Sequence, residues 1–145
     1  ALLRDISRVI RQVRTERMLI QSPERNWARI PASHPDHMAA GEGAIFAIYP
    51  DARNPFAHPA LLADEGLDAW TVHDVWVMGA PEPNHIVDVT DYVDLKLEAL
   101  RAHESQTAHM DDLEERIRSW MTMAAERGGL PEGRLAEAFL RTTIP

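Results

Sequence analysis

Five consecutive residues, Ser33-His34-Pro35-Asp36-His37, hold the densest set of groups able to do chemistry in this sequence. Two imidazoles stand three residues apart with a carboxylate between them. Neutral imidazole is a zinc ligand, and it is also the side chain best suited to moving protons near neutral pH. Asp36 can accept a hydrogen bond from an imidazole N–H and so fix its tautomer. Pro35 suits the first position of a helix, where its missing N–H costs nothing. His34 then precedes the helix and His37 lies in its first turn, so that both can lean towards one point. The same spacing also suits two capping and surface histidines. A catalytic zinc usually needs three protein ligands and an open water position; this segment supplies two histidines at most, and no HExxH motif completes the set. Spacing alone leaves both readings open.

Other polar and aromatic residues bear on the same question. Trp27, flanked by Arg25 and Arg29, lies on the loop entering the histidine segment, and an aromatic face beside guanidinium donors suits a sugar or a phosphate. Packing of Trp27 against its own loop is the alternative. Asn84 and His85 follow the apolar run that ends at Gly79, which makes His85 a candidate substrate contact or a structural hydrogen-bonder. Lys96 and His103 fall on one face of a helix and are expected to tie it to a loop. Arg53 and His58 read as loop residues.

The elements that must position these groups follow from periodicity. "ALLRDISRVIRQVR" opens on an amphipathic helix with Leu3, Ile6, Ile10 and Val13 on its apolar line and Arg4, Arg8, Arg11 and Arg14 among its polar positions. "RMLIQ" (17–21) has strand length, and a turn-rich loop follows from Ser22 to Ser33. A second helix is predicted from Pro35 to Ile48, stopped by Pro50 and Pro55. "ALLADEG" (60–66) makes one or two helical turns closed by Gly66. "HDVWVMG" (73–79) and "HIVDVT" (85–90) read as strands. Thr90 or Asp91 caps a helix running to about His103, with Val93, Leu97 and Leu100 as its apolar line. The last long helix covers roughly Asp111 to Arg127, with Leu113, Ile117, Trp120 and Ala124 on one face. "EAFLRTTI" (137–144) is a strand or a short helix. Helices alternating with strands predict one α/β domain over 1–145 with helices around a partly parallel sheet.

Composition narrows the class of protein. With 145 residues, 45% hydrophobic and 26% charged, the chain can bury a sizeable core. A formal net charge of −8 disfavours a phosphate-backbone partner, so no nucleic acid is expected. No apolar run approaches the ~20 residues of a membrane span. Without cysteine there is no disulfide and no thiolate metal site. These features fit a cytoplasmic protein. The absence of an initiator Met ahead of the first helix, and the small number of readable strands, lead us to expect further polypeptide upstream.

The stretch "NWARIPASHPDHMAAGEGAIFAIYPDARNPF" and the later "PEPNHIVDVTDYVDLKLEALRAHESQ" together resemble the LmbE/PIG-L family of zinc-dependent N-deacetylases. The motifs HPDH, YPDARNP, VDVTD and AHESQ occur in the expected order, and the resemblance extends from about Leu2 to Ile144. It implies a Rossmann-like α/β fold, of which this chain is the C-terminal portion. It further implies hydrolysis of an acetamido group, often on an amino sugar. In that family the second histidine of HPDH is a zinc ligand, which transfers to His37. The first is general acid and oxyanion stabiliser, which transfers to His34, and the carboxylate between them, Asp36, orients and polarises it. Zn2+ or another divalent ion is thus the expected cofactor. In a completed site the metal would supply an activated water for attack on the amide carbonyl, and His34 would protonate the departing amine.

The sequence also departs from the family. The AHPDD motif that supplies the other two zinc ligands and the general base is missing. "AHPALLADE" (57–65) carries Ala60 and Leu61 where the aspartates belong and lies downstream of HPDH, so His58 is not a substitute. Some members carry a tyrosine two residues before the first histidine, and Ala32 stands there. The expectation is a zinc-dependent deacetylase of a small amino-sugar-type substrate, completed by an N-terminal segment and nearly inactive as the isolated 145 residues. A fragment of this kind would expose apolar surface and associate with copies of itself. The rival expectation is a non-catalytic binding or assembly module that keeps the scaffold.

Overall fold

Two apolar cores organise the chain, and each serves one compact unit: residues up to Pro83 with Phe139–Pro145, and Asn84–Ala138. The computed structural model describes residues 2–145.

In the first unit, α1 (Leu2–Val13) buries Ile10 and packs Ile6 against the core, as its periodicity predicts. Two positions differ from the expected stripe. Val13 is 66% exposed, and Arg11, expected among the polar positions, is 1% exposed. The reason is polar. Arg11 Nε donates to the carbonyl of Ala52, and Nη2 donates to those of Asp51, Asn54 and Ala57, all at 2.9–3.1 Å. Buried carbonyls need donors, and the planar guanidinium serves several at once.

β1 (Arg17–Gln21) and β2 (Asp74–Met78) pair in parallel from Arg17↔Asp74 to Gln21↔Met78. Parallel neighbours need a long crossover, and here it holds α2 (Pro35–Phe46) and α3 (Pro59–Ala63). Ile20, Val75 and Val77 alternate into the core with Ala44, Ala47, Ile48 and Val72. Each fully buried Val or Ile contributes roughly 1.5–3 kcal/mol. After Phe46 the helix widens through Ala47–Ala52, where Pro50 lies inside the turn and Tyr49 is extended. The returning strand, β4 (Ala136–Thr143), settles the ambiguity of its segment. It pairs antiparallel with β2 from Asp74↔Thr143 to Met78↔Phe139. With β3 at His85–Asp88, the strand order is β1-β2-β4-β3, a mixed, partly parallel sheet with helices, as expected.

In the second unit, β3 (His85–Asp88) is followed by a 3-10 turn at Thr90–Tyr92 and by α4 (Val93–Arg101). The helix start differs from the expected cap at Thr90 or Asp91. Instead, the Asp88 carboxylate accepts from Thr90 N at 3.0 Å and from Thr90 Oγ1 at 2.6 Å. Two helices complete this unit, α5 (Glu104–Thr107) and α6 (Leu113–Arg127). The buried line of α6 is Leu113, Ile117, Met121 and Ala125, not the predicted set with Trp120 and Ala124. These residues meet Val93 and Leu97, while Trp120 is 43% exposed. Lys96 is ion-paired with Glu137, which holds α4 to the start of β4.

Candidate functional site

Because β1 and β2 run parallel, Gln21 and Met78 end at one edge of the sheet, where open α/β sheets gather their sites. Ser22 N donates to the carbonyl of Met78 at 3.0 Å and prolongs that pairing by one residue. From there the loop 22–33 delivers the histidine segment to the start of α2. Gly41, in the second turn of α2, fixes how closely the helix approaches. A Cβ there would stand 2.3 Å from the carbonyl oxygen of Gln21, so only glycine allows the contact.

The loop itself is tightly closed. The buried Ser33 accepts at Oγ from Asn26 N at 2.7 Å, and Asn26 Oδ1 accepts from Arg29 N at 3.0 Å. Trp27 does not pack on its loop: it is 79% exposed, with the Arg25 guanidinium 5.5 Å from its ring centroid.

His34 is the N-cap of α2. Its Nδ1 accepts from Asp36 N at 3.2 Å, which satisfies one of the orphan donors of the first turn. The capping bond assigns the tautomer: an Nδ1 that accepts carries no proton, so the neutral ring bears its proton on Nε2. The Asp36 carboxylate is 3.9 Å from Nδ1 and mostly solvent-exposed, so the hold on His34 runs through the backbone of Asp36. The His34 and His37 rings are 5.3 Å apart between centroids and tilted by 47°, so the two imidazoles share one exposed corner of the helix start.

Other predicted positions are placed by the structure as follows. His58 opens α3 in the left-handed region (φ 52°), and its Nε2 lies 2.8 Å from Asp51 Oδ2, the loop role expected of it. Arg53 donates to the carbonyl of Pro145 at 2.5 Å. His85 opens β3 in the second unit. Sequence reading missed Arg11 and Gly41, and only Gly41 left a signal, a glycine inside a helical pattern.

The resemblance implies a metal, and the donors can be tested against one. Among the described residues no group of three or more His, Asp and Glu side chains gathers as a metal site. A catalytic zinc takes three protein ligands. The residues present do not by themselves fit such a centre.

No family model matches the chain. Relatives and solved structures are more informative. Over 103 residues the chain is 35% identical to diacetylchitobiose deacetylase of Thermococcus kodakarensis, covering 71% of this chain and 36% of that protein. Over 87 residues it is 33% identical to a probable N-acetyl-alpha-D-glucosaminyl L-malate deacetylase 2 of Bacillus subtilis, covering 59% of this chain and 36% of that protein. The structure of N,N'-diacetylchitobiose deacetylase from Pyrococcus horikoshii, complexed with its inhibitor MPG, matches with a TM-score of 0.81 at 26% identity, over 97% of this chain and 50% of that one. The chain's homologues are deacetylases of the LmbE/PIG-L family.

The chain spans about a third of the length of the curated relatives it matches, 36% in both cases. A further likeness concerns the fold alone. GalB, the 4-carboxy-2-hydroxymuconate hydratase of Pseudomonas putida KT2440, matches with a TM-score of 0.69 at 20% identity, over 99% of this chain and 58% of that one. Since the fold is thus shared with a hydratase, function has to be argued from the site.

Proposed function

We propose that this chain is part of an amide hydrolase that removes an acetyl group from the nitrogen of an N-acetyl amino-sugar-type substrate. The observation that carries the reading is the capping bond from Asp36 N to His34 Nδ1, which leaves the Nε2–H of His34 as the ring's donor. A donor so placed can bond the amide carbonyl oxygen as negative charge develops there; a ring that also takes up a proton at Nδ1, releasing the cap, can pass its Nε2 proton to the departing amine and keep the one on Nδ1. His34 is the proposed acid, with Asp36 as its positioning residue. His37 is the proposed single metal ligand contributed by these residues, with Zn2+ as the expected ion. Trp27 and Arg25 are the proposed substrate contacts. The relatives' printed names, a diacetylchitobiose deacetylase and an N-acetyl-glucosaminyl malate deacetylase, support the substrate class.

The test is acetate release from N-acetylglucosaminides by the longest form of the protein that contains this chain. His34→Ala should lose turnover by at least ~100-fold while keeping its metal content, and His37→Ala should lose bound metal. The opposite assignment overturns these roles. The shortfall of ligands among the described residues favours a second reading, a non-catalytic binding module. Sugar binding with no acetate release at any added divalent metal would select it.

A further inference from the structure

Most arginines here end on a carboxylate: Arg4 and Arg8 on Glu65, Arg17 and Arg141 on Asp74, and Arg101 and Arg118 on Glu114. Arg25 does not. In a chain of net charge −8, its exposed guanidinium meets no acid among the described residues and lies instead over the indole of Trp27. Trp27 is 79% exposed, so a large apolar ring is held in water with one face opposite a cation. The pair flanks Asn26, whose N–H is fixed to Ser33 Oγ, the residue just before His34.

A guanidinium lying on an aromatic face keeps its in-plane N–H donors, which match the two oxygens of a carboxylate or phosphate. The other face of the indole suits the C–H face of a pyranose ring. Resting on the deacetylase reading above, we propose that Arg25 and Trp27 form a recognition ledge for an anionic substituent. The preferred substrate is then an N-acetyl amino sugar that carries a carboxylate or phosphate, and Arg25 is its specificity determinant. Trp27 grips the ring; Arg25 reads the charge.

The experiment compares three probes: methyl N-acetylglucosaminide, N-acetylglucosamine 1-phosphate, and the malate glycoside of N-acetylglucosamine. Acetate release and calorimetric binding are measured for wild type, Arg25→Ala, Arg25→Lys and Trp27→Ala. Both substituted residues are exposed, so the variants should fold. Wild type should prefer at least one anionic probe over the methyl glycoside, and the one preferred identifies the anion. Arg25→Ala should reduce that preference about tenfold, the loss of one charge-assisted contact. Arg25→Lys should restore only part of it, and Trp27→Ala should weaken all three probes. Equal treatment of the probes by wild type, or an unchanged preference in Arg25→Ala, overturns the ledge. If the longest form of the protein that contains this chain hydrolyses no probe, the deacetylase reading fails, and the binding preference still decides the ledge by the same two outcomes.

Discussion

His34 and Asp36 meet through the main chain: Asp36 N is 3.2 Å from His34 Nδ1, inside hydrogen-bond range, whereas the Asp36 carboxylate is 3.9 Å away, outside it. A carboxylate that oriented the ring by accepting from Nδ1–H would require the other tautomer. The cap and that carboxylate bond therefore exclude each other.

This makes the tautomer a measurable consequence. Nitrogen-15 NMR of His34 should show the proton on Nε2 in the neutral ring. Asp36→Asn keeps the backbone N–H and should keep the tautomer, while Asp36→Pro removes the donor and should lose it. A protonated Nδ1 in wild type would instead give the orienting role to the carboxylate.

Gly41 ties the position of that ring to the sheet. In an isolated helix Gly41→Ala should help by about 1 kcal/mol, yet here the new Cβ would lie 2.3 Å from Gln21 O and 3.0 Å from Pro23 N. These are backbone atoms and cannot swing away. The substitution should destabilise by roughly 1–3 kcal/mol. A shift of α2 that relieves the clash displaces His34, and a misplacement of about 1 Å can cost ~100-fold in turnover. Gly43→Ala is the control, because its clash is with Leu2 Cδ2, the end of a flexible side chain. Denaturant midpoints for the two variants should differ clearly, and equal midpoints would deny Gly41 this role.

What was legible in the sequence follows from which forces leave a periodic trace. The alternation of β2 and the apolar line of α4 were readable because burial on one face imposes a period. In α6, Leu113 and Ile117 fit two continuations, through Trp120 or through Met121. The structure takes the strict four-residue step to Met121 and Ala125. Arg11 was illegible for a different reason. Its burial is caused by carbonyls forty residues away, and a pattern that counts every arginine as solvent-facing has no means of registering them. Within the site, the proline and histidines fixed the helix start, but the capping bond that sets the tautomer is a matter of angles that spacing does not carry.

Arg11 should accordingly be among the residues least tolerant of change. Arg11→Met keeps the apolar stem and removes the guanidinium donors from the carbonyls of Asp51, Ala52, Asn54 and Ala57, of which the first three keep a backbone donor, at a cost of about 1–3 kcal/mol. Arg11→Lys should recover little, since one ammonium cannot reproduce a planar fork that spans several acceptors. Hydrogen exchange should then speed up at Trp70 N, which bonds the carbonyl of Ala52, and at Ala57 N, which bonds that of Asn54. Unchanged exchange at both amides would mean that the segment holds itself.

Across the sheet, Asp74 should dominate the acid side of the stability curve. Partial burial pushes its carboxyl up, but hydrogen bonds from Arg141, Arg17 and Trp76 outweigh burial and hold it down to about 2, against an ordinary 3.8. The bonds join three strands: Arg17 Nε on β1 at 2.7 Å, Arg141 Nε on β4 at 2.9 Å, and Trp76 Nε1 on β2 itself at 3.0 Å. Both guanidinium groups also lie over the Trp76 ring, at 4.3 and 5.6 Å. A carboxyl whose folded value lies below its unfolded one contributes stability that is complete above the unfolded value and is lost as pH falls through the folded one. The contribution of Asp74 is therefore present at pH 5 and above and disappears between about pH 4 and pH 2. Glu65, Asp88 and Glu114 are lowered as well, so the wild-type curve alone would mix several carboxyls. The difference between wild type and Asp74→Asn isolates the one in question. That difference should be constant above pH 5 and shrink through the acid window, and a difference that stays flat down to pH 2 would show that Asp74 holds the strands by shape and not by charge.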